Sequence, residues 1–153
     1  MGREVRKVPA HWDHPKDERG RHKPLYPGDR YEERRREFEE KLAAEGMQAA
    51  IDWCGNPPNK EDYMPDWPDS EKTHLMMYED TTEGTPISPA FKTPEELARW
   101  LADNNASAFG NSGATYEQWL ATIGDGYAVS MVFDAEHGIR SGVEFAAEPR
   151  LPR

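Results

Sequence analysis

TPEELARWLADNNASAFGNSGATYEQWLATIG, residues 93–124, carries the firmest local instructions in the chain. Thr93 is placed to cap a helix, Pro94 suits the first helical position, where no amide partner is lost, and Glu96 completes a capping-box pattern. Leu97, Trp100 and Leu101 then recur on one face, and the Asn104–Asn105 pair ends the run. The signals repeat downstream. Thr115 caps, Gln118 completes the box, Trp119, Leu120 and Ile123 face inward, and Gly124 reads as the stop. The spacing predicts two capped helices, over about 93–104 and 115–123, joined by a linker of small residues.

Working outward, YAVSMVFD (127–134) alternates and is rich in β-formers, while IRSGVEF (139–145) can return as a second strand after a turn at Gly138. A C-terminal β-hairpin beside two helices predicts an α+β fold. Upstream, Asp29 is positioned to cap a charged helix over about 30–45, with Tyr31, Phe38, Leu42 and Ala43 near one face. MQAAIDWC (47–54) predicts a short helix after Gly46. GNPPNKEDYMPDWPDSE (55–71) holds four prolines and must be loop, and KTHLMMYE (72–79) fits either a helical turn or a short strand. Residues 1–28 have no helical or alternating period and read as an extended N-terminal arm, anchored by Val8, Trp12, Leu25 and Tyr26. The division is an arm (1–28), a single α+β domain (29–146) and a polar tail (147–153).

The chain has 153 residues, enough for one domain with a working core. Hydrophobic residues make up only 36% and mean hydropathy is −0.97, so that core must be modest. Five tryptophans partly offset the shortage of aliphatics. One cysteine, Cys54, rules out an intrachain disulfide, and no apolar run is long enough for a signal peptide or a membrane span. The expected setting is a reducing cytoplasm. Net charge is −10, unevenly spread: residues 1–45 carry twelve Lys/Arg against eleven Asp/Glu, and residues 46–153 carry seven against eighteen. So acidic a body repels phosphate and disfavours direct nucleic-acid binding, but it can mate with a basic protein surface.

Catalytic patterns are weak. His11, Asp13, His14 and Asp17 lie close together, with His22 and His74 elsewhere, but the four well-placed ligands of a structural zinc site are not evident. No metal and no cofactor are expected. Cys54 with His74 as its base, or a carboxylate pair such as Asp62 with Asp66, gives a small hydrolase as one alternative. An acidic setting raises a thiol pKa, which counts against the cysteine.

EDYMPDWPDSEKTHLMMYED (61–80) interleaves aromatics and methionines with acids on a proline-stiffened stretch. Aromatics and Met give contact area, and acids give steering, which is the chemistry of an interface. The expected partner-binding residues are Tyr63, Asp66, Trp67, Asp69 and Tyr78, with Trp12 of the arm as a second candidate. The competing reading folds Tyr63 and Trp67 back as lids over the core.

VPAHWDHPKDERGRHKPLY, EDYMPDWPDSEKTHLMMYEDTTEGTPISP, TPEELARWLADNNASAFG and TYEQWLATI resemble a group of small acidic proteins encoded by tailed phages and prophages. The resemblance covers most of the chain and carries no catalytic assignment. It implies a phage accessory protein of the host cytoplasm that acts stoichiometrically on a host or phage protein. One form would be an inhibitor of a host enzyme or defence complex, anti-CRISPR-like or DNA-mimic-like, meeting a nucleoprotein complex through its basic surface. A structural or replication accessory of the phage is the alternative.

Overall fold

A computed structural model describes residues 2–80 and 84–149, and the fold is α+β. The chain divides into two compact units, one of residues 1–23 and 67–153, the other of residues 24–66.

In the larger unit, strand β1 spans Arg3–Val8, β2 His74–Glu79 and β3 Thr85–Pro86; helix α1 spans Pro94–Asp103, α2 Tyr116–Asp125, and strand β4 Tyr127–Ala128. Both helix starts carry the expected N-cap, but of the box expected at Thr93 only the half made by the threonine side chain is present. Thr93 accepts the Glu96 amide at 3.2 Å, and at Thr115 both halves of the box close, at 2.9 and 3.2 Å. The second stop lies two residues later than expected: Gly124 stays helical, and Gly126 takes the left-handed conformation that ends α2. Leu97, Leu101 and Trp119 are fully buried and join Met77 of β2 in the core.

The four strands pair antiparallel in the order β3-β2-β1-β4. Residues 72–79 therefore resolve to a strand. The residues expected as an irregular arm begin with the sheet's inner strand, in register Arg3↔Glu79 through Val8↔His74. Arg3 and Arg6 sit inside that strand, almost without exposure, and their charges hide its apolar alternation in the sequence. Arg3 is held by the Ser107 carbonyl at 2.7 Å, the Ser107 hydroxyl at 3.1 Å and the Gly2 carbonyl at 2.9 Å. Strand parity puts Val5, Leu75 and Met77 on the helix-packed face, and Arg6, Val8, Met76 and Tyr78 on the other. Trp12 and His14 of the segment following β1 cover that second face.

The expected hairpin is cut at Val129–Ser130. Tyr127–Ala128 joins the main sheet, while β5 (Met131–Asp134) and β6 (Gly138–Ser141) form a separate two-stranded sheet. Gly138 has φ 74° at the turn, as a three-residue hairpin loop requires. Ser141 and Glu144 close a second capping box, so residues expected as strand instead form a short helix, α3 of the C-terminal segment, Gly142–Ala146.

The smaller unit carries the charged helix, Arg30–Glu45, and a second helix, Met47–Cys54, broken at Gly46 with φ 89°. Asp29 occupies the cap position without a side-chain capping bond. Arg35 bridges Glu32 at 2.7 Å and Glu39 at 3.0 Å along the exposed face. Phe38, Ala50, Leu25 and Tyr63 are buried. Among the described residues no helix is long and apolar enough to cross a membrane.

Candidate interaction surface

The residues expected at a contact surface divide between the units. In the smaller unit Tyr63 is buried, its ring 5.4 Å from that of Tyr26 and 5.3 Å from that of Tyr31. The Tyr26 amide donates to the Asp62 carbonyl and the Met64 amide to the Tyr26 carbonyl, which fixes Tyr63 inward. Asp66 is exposed. In the larger unit Tyr78 is 0% exposed, and Trp12 and Trp67 are half-buried against each other, edge to face at 4.7 Å. Trp67 thus points in, onto Trp12. Asp69 is exposed and bridges Lys72 at 3.0 Å, which holds its carboxyl below the ordinary aspartate pKa. Tyr63 and Tyr78 present no side chain to a partner; both are needed to fill interiors that few aliphatic residues are available to fill.

Tyr78 is the hub of a buried polar network. His14 Nε2 lies 2.6 Å from the Lys23 carbonyl, which only accepts, so that nitrogen carries the proton. Nδ1 is then the acceptor, and the Tyr78 hydroxyl donates to it at 3.0 Å while receiving the Trp12 indole N–H at 3.0 Å. The Arg6 guanidinium stacks over the Tyr78 ring at 4.4 Å. Burial pushes the Tyr78 hydroxyl up to about 12 and holds His14 below its ordinary value, so both stay neutral. Neutral and hydrogen-bonded to one another, Tyr78 and His14 stabilise the sheet's second face together with the Trp12 indole.

The residues named for catalysis are divided between the units in the same way. Cys54 ends a helix in one unit and His74 opens β2 in the other, where its Nδ1 meets the Thr73 hydroxyl at 2.8 Å. Asp62 and Asp66, the expected carboxylate pair, are both exposed in the smaller unit. Among the described residues no three His, Cys, Asp or Glu side chains converge to hold a metal.

A cluster of exposed apolar side chains lies on the β5–β6 hairpin. Across the β5–β6 ladder Phe133 pairs with Ile139 and Met131 with Ser141. Parity puts Met131, Phe133 and Ile139 on one face, and they are 52%, 75% and 67% exposed. The opposite face holds Val132 and the triad Asp134–Arg140–Glu148, with Arg140 2.7 Å from Asp134 and also paired to Glu148. His137's amide and Arg140 together hold the Asp134 carboxyl down at about 2. Beside that face opens a cleft of about 280 Å³ lined by Tyr127, Val129, Val132, Phe145 and Ala146, with Asp125 at its edge. An ordinary half-buried hairpin turns its charges outward and its apolar residues inward; this one presents the apolar residues to water. A second opening, of about 440 Å³ on the smaller unit, is lined by Arg34, Glu37, Lys41, Trp53 and Cys54, with Lys41 Nζ 4.9 Å from the exposed Trp53 ring. Its lining is mostly charged, with Ala44, Trp53 and Cys54 as the other members.

No family model, curated protein or solved structure matches the chain.

Proposed function

We propose that this protein acts stoichiometrically, by binding another protein, and that its contact surface is the apolar face of the β5–β6 hairpin. The observation that carries the reading is the cross-strand pair Phe133–Ile139, left largely in water with Met131 beside it. Together the three leave roughly 400 Å² of apolar surface uncovered, a size at which patches on monomers are often functional. On the larger unit the half-buried Trp12 and Trp67 with the exposed Asp69 stand as a secondary contact, and on the smaller unit the exposed Asp66 stands by itself. The resemblance to small phage-encoded proteins supplies a setting: the cytoplasm of an infected or lysogenic cell, with a host or phage protein as target. Block of a host enzyme or of a defence nucleoprotein complex, reached through its basic surface, is the form that the chain's charge favours.

Affinity capture from the infected host tests this. Wild-type protein should retain a partner at defined stoichiometry, and the Phe133→Thr/Ile139→Thr variant should lose it, while Trp67→Ala/Asp66→Lys weakens it less. Retention unchanged by the hairpin variant refutes the assignment.

A further inference from the structure

We propose that the outer edge of β5 is a strand-addition site for a short extended segment of a partner protein, apolar at alternate positions and basic overall. This rests on the hairpin being the contact surface. Gly142's amide donates to the Ser130 carbonyl at 3.3 Å. Counting in twos along the register makes Val132–Arg140 and Asp134–Gly138 the hydrogen-bonded pairs. The amides and carbonyls of Met131 and Phe133 therefore point away from β6, to the outer edge of β5. Among the described residues no backbone bond reaches them. The β6 edge is less open: the Ser141 amide is taken by Glu144 at 2.9 Å, and the short helix follows at once. An added strand at β5 satisfies two residues' worth of backbone groups and places alternate side chains beside Met131 and Phe133, within the separation at which cross-strand pairs interact.

Area and charge choose the occupant. The uncovered face is about half of the roughly 800 Å² per partner that a stable protein interface uses, which suits a segment better than a second copy. Residues 125–149 carry five acids (Asp125, Asp134, Glu136, Glu144, Glu148) against Arg140 alone. Arg140 is already held between Asp134 and Glu148, and Glu136 stands exposed at the hairpin turn. Two copies would bring like charge together; a segment with Lys or Arg between its apolar residues meets the opposite sign.

Panning the full chain with a yeast-displayed library of random twelve-residue segments tests the inference. Enriched segments should alternate apolar and polar residues and carry net positive charge, and should bind the Phe133→Thr/Ile139→Thr chain at least tenfold more weakly. A synthetic copy N-methylated at alternate amides should lose binding in one parity and keep it in the other, a readout that needs no variant of the protein. No enrichment, enrichment of acidic or helix-period segments, or indifference to N-methylation overturns strand addition. If the capture experiment still depends on Phe133 and Ile139 in that event, the hairpin remains the contact surface and only the strand mode falls. A dimer in sedimentation velocity that disappears in the hairpin variant also overturns the inference, by making a second copy the occupant.

Discussion

Tyr78→Phe removes a single oxygen from an interior that otherwise keeps its shape. That oxygen joins two partners, the Trp12 indole N–H and His14 Nδ1, each at 3.0 Å. A net hydrogen bond is worth about 1 kcal/mol, and leaving a buried partner unsatisfied adds about 1–3 kcal/mol. His14 is buried and bears the full penalty, whereas Trp12 is half-buried and recovers part of its loss from water. The sum is a loss of about 2–4 kcal/mol, a large share of the roughly 5–15 kcal/mol that holds a domain. With a urea slope of about 2 kcal/mol per molar, the middle of the range for small proteins, the midpoint should fall by about 1–2 M. Tryptophan fluorescence is a suitable probe, because Trp12, Trp67, Trp100 and Trp119 all belong to the larger unit. Tyr127→Phe, which trims an exposed hydroxyl, is the control and should stay within about 0.5 kcal/mol of wild type. If Tyr78→Phe unfolds at the same urea concentration as Tyr127→Phe, the network contributes nothing and the account of the sheet's second face is wrong.

The same network predicts a pH dependence. Burial holds His14 below its ordinary value, so unfolded chains bind the proton first, and stability is full above about pH 6.5 and falls as pH drops toward the lower folded value. Asp134, held at about 2, loses its contribution only below about pH 4, so the two windows separate. Urea midpoints between pH 7.5 and 5 should therefore decline in wild type and stay level in His14→Gln; equal slopes would dismiss the idea. Gly142→Ala drives a Cβ into the Val129 carbonyl oxygen, a backbone atom that cannot swing aside. It should cost about 2–3 kcal/mol and loosen the hairpin, visible as faster amide exchange at Val132 and Arg140. Phe133→Thr/Ile139→Thr should change the urea midpoint by less than the equivalent of about 1 kcal/mol, since both side chains are mainly in water. A larger loss would mean that the face belongs to the fold.

What could be read from the sequence were the elements that specify themselves locally. Thr93-Pro94 and the Thr115/Gln118 box define two helices with no help from the rest of the chain. Strand β1 could not be read, because Arg3 and Arg6 stand where an inward-facing strand residue is ordinarily apolar. Partners distant in sequence, Ser107 for Arg3 and the Tyr78 ring for Arg6, help to offset that burial. Tyr63 and Trp67 looked free because the acids around them are exposed; the aromatics turn inward while Asp66 and Asp69 stay in water, an alternation that proline-rich loops do not advertise. The Ser141–Glu144 box could have been recognised, since it has the same form as the box at Thr115. It was masked by the β-forming residues Ile139 and Val143 on either side.

Among the described residues, the apolar hairpin face is a part of the molecule that contributes little to the buried core. Met77, Leu97, Leu101 and Trp119 close the core, and the chain reaches them again after the hairpin through Val143. Phe133 and Ile139 lie outside that cluster and bury little. At roughly 25 cal/mol per Å², covering the roughly 400 Å² they share with Met131 could return up to about 10 kcal/mol. None of that return is realised within the described chain, whereas threonine at the same positions would keep strand propensity without the exposed surface. The acids at Asp66 and Asp69 present the opposite case: charges in water cost little and need no partner. An unsatisfied apolar face demands a cover in a way that an acidic loop does not, and this asymmetry is why the contact surface proposed above is the hairpin and not residues 61–80.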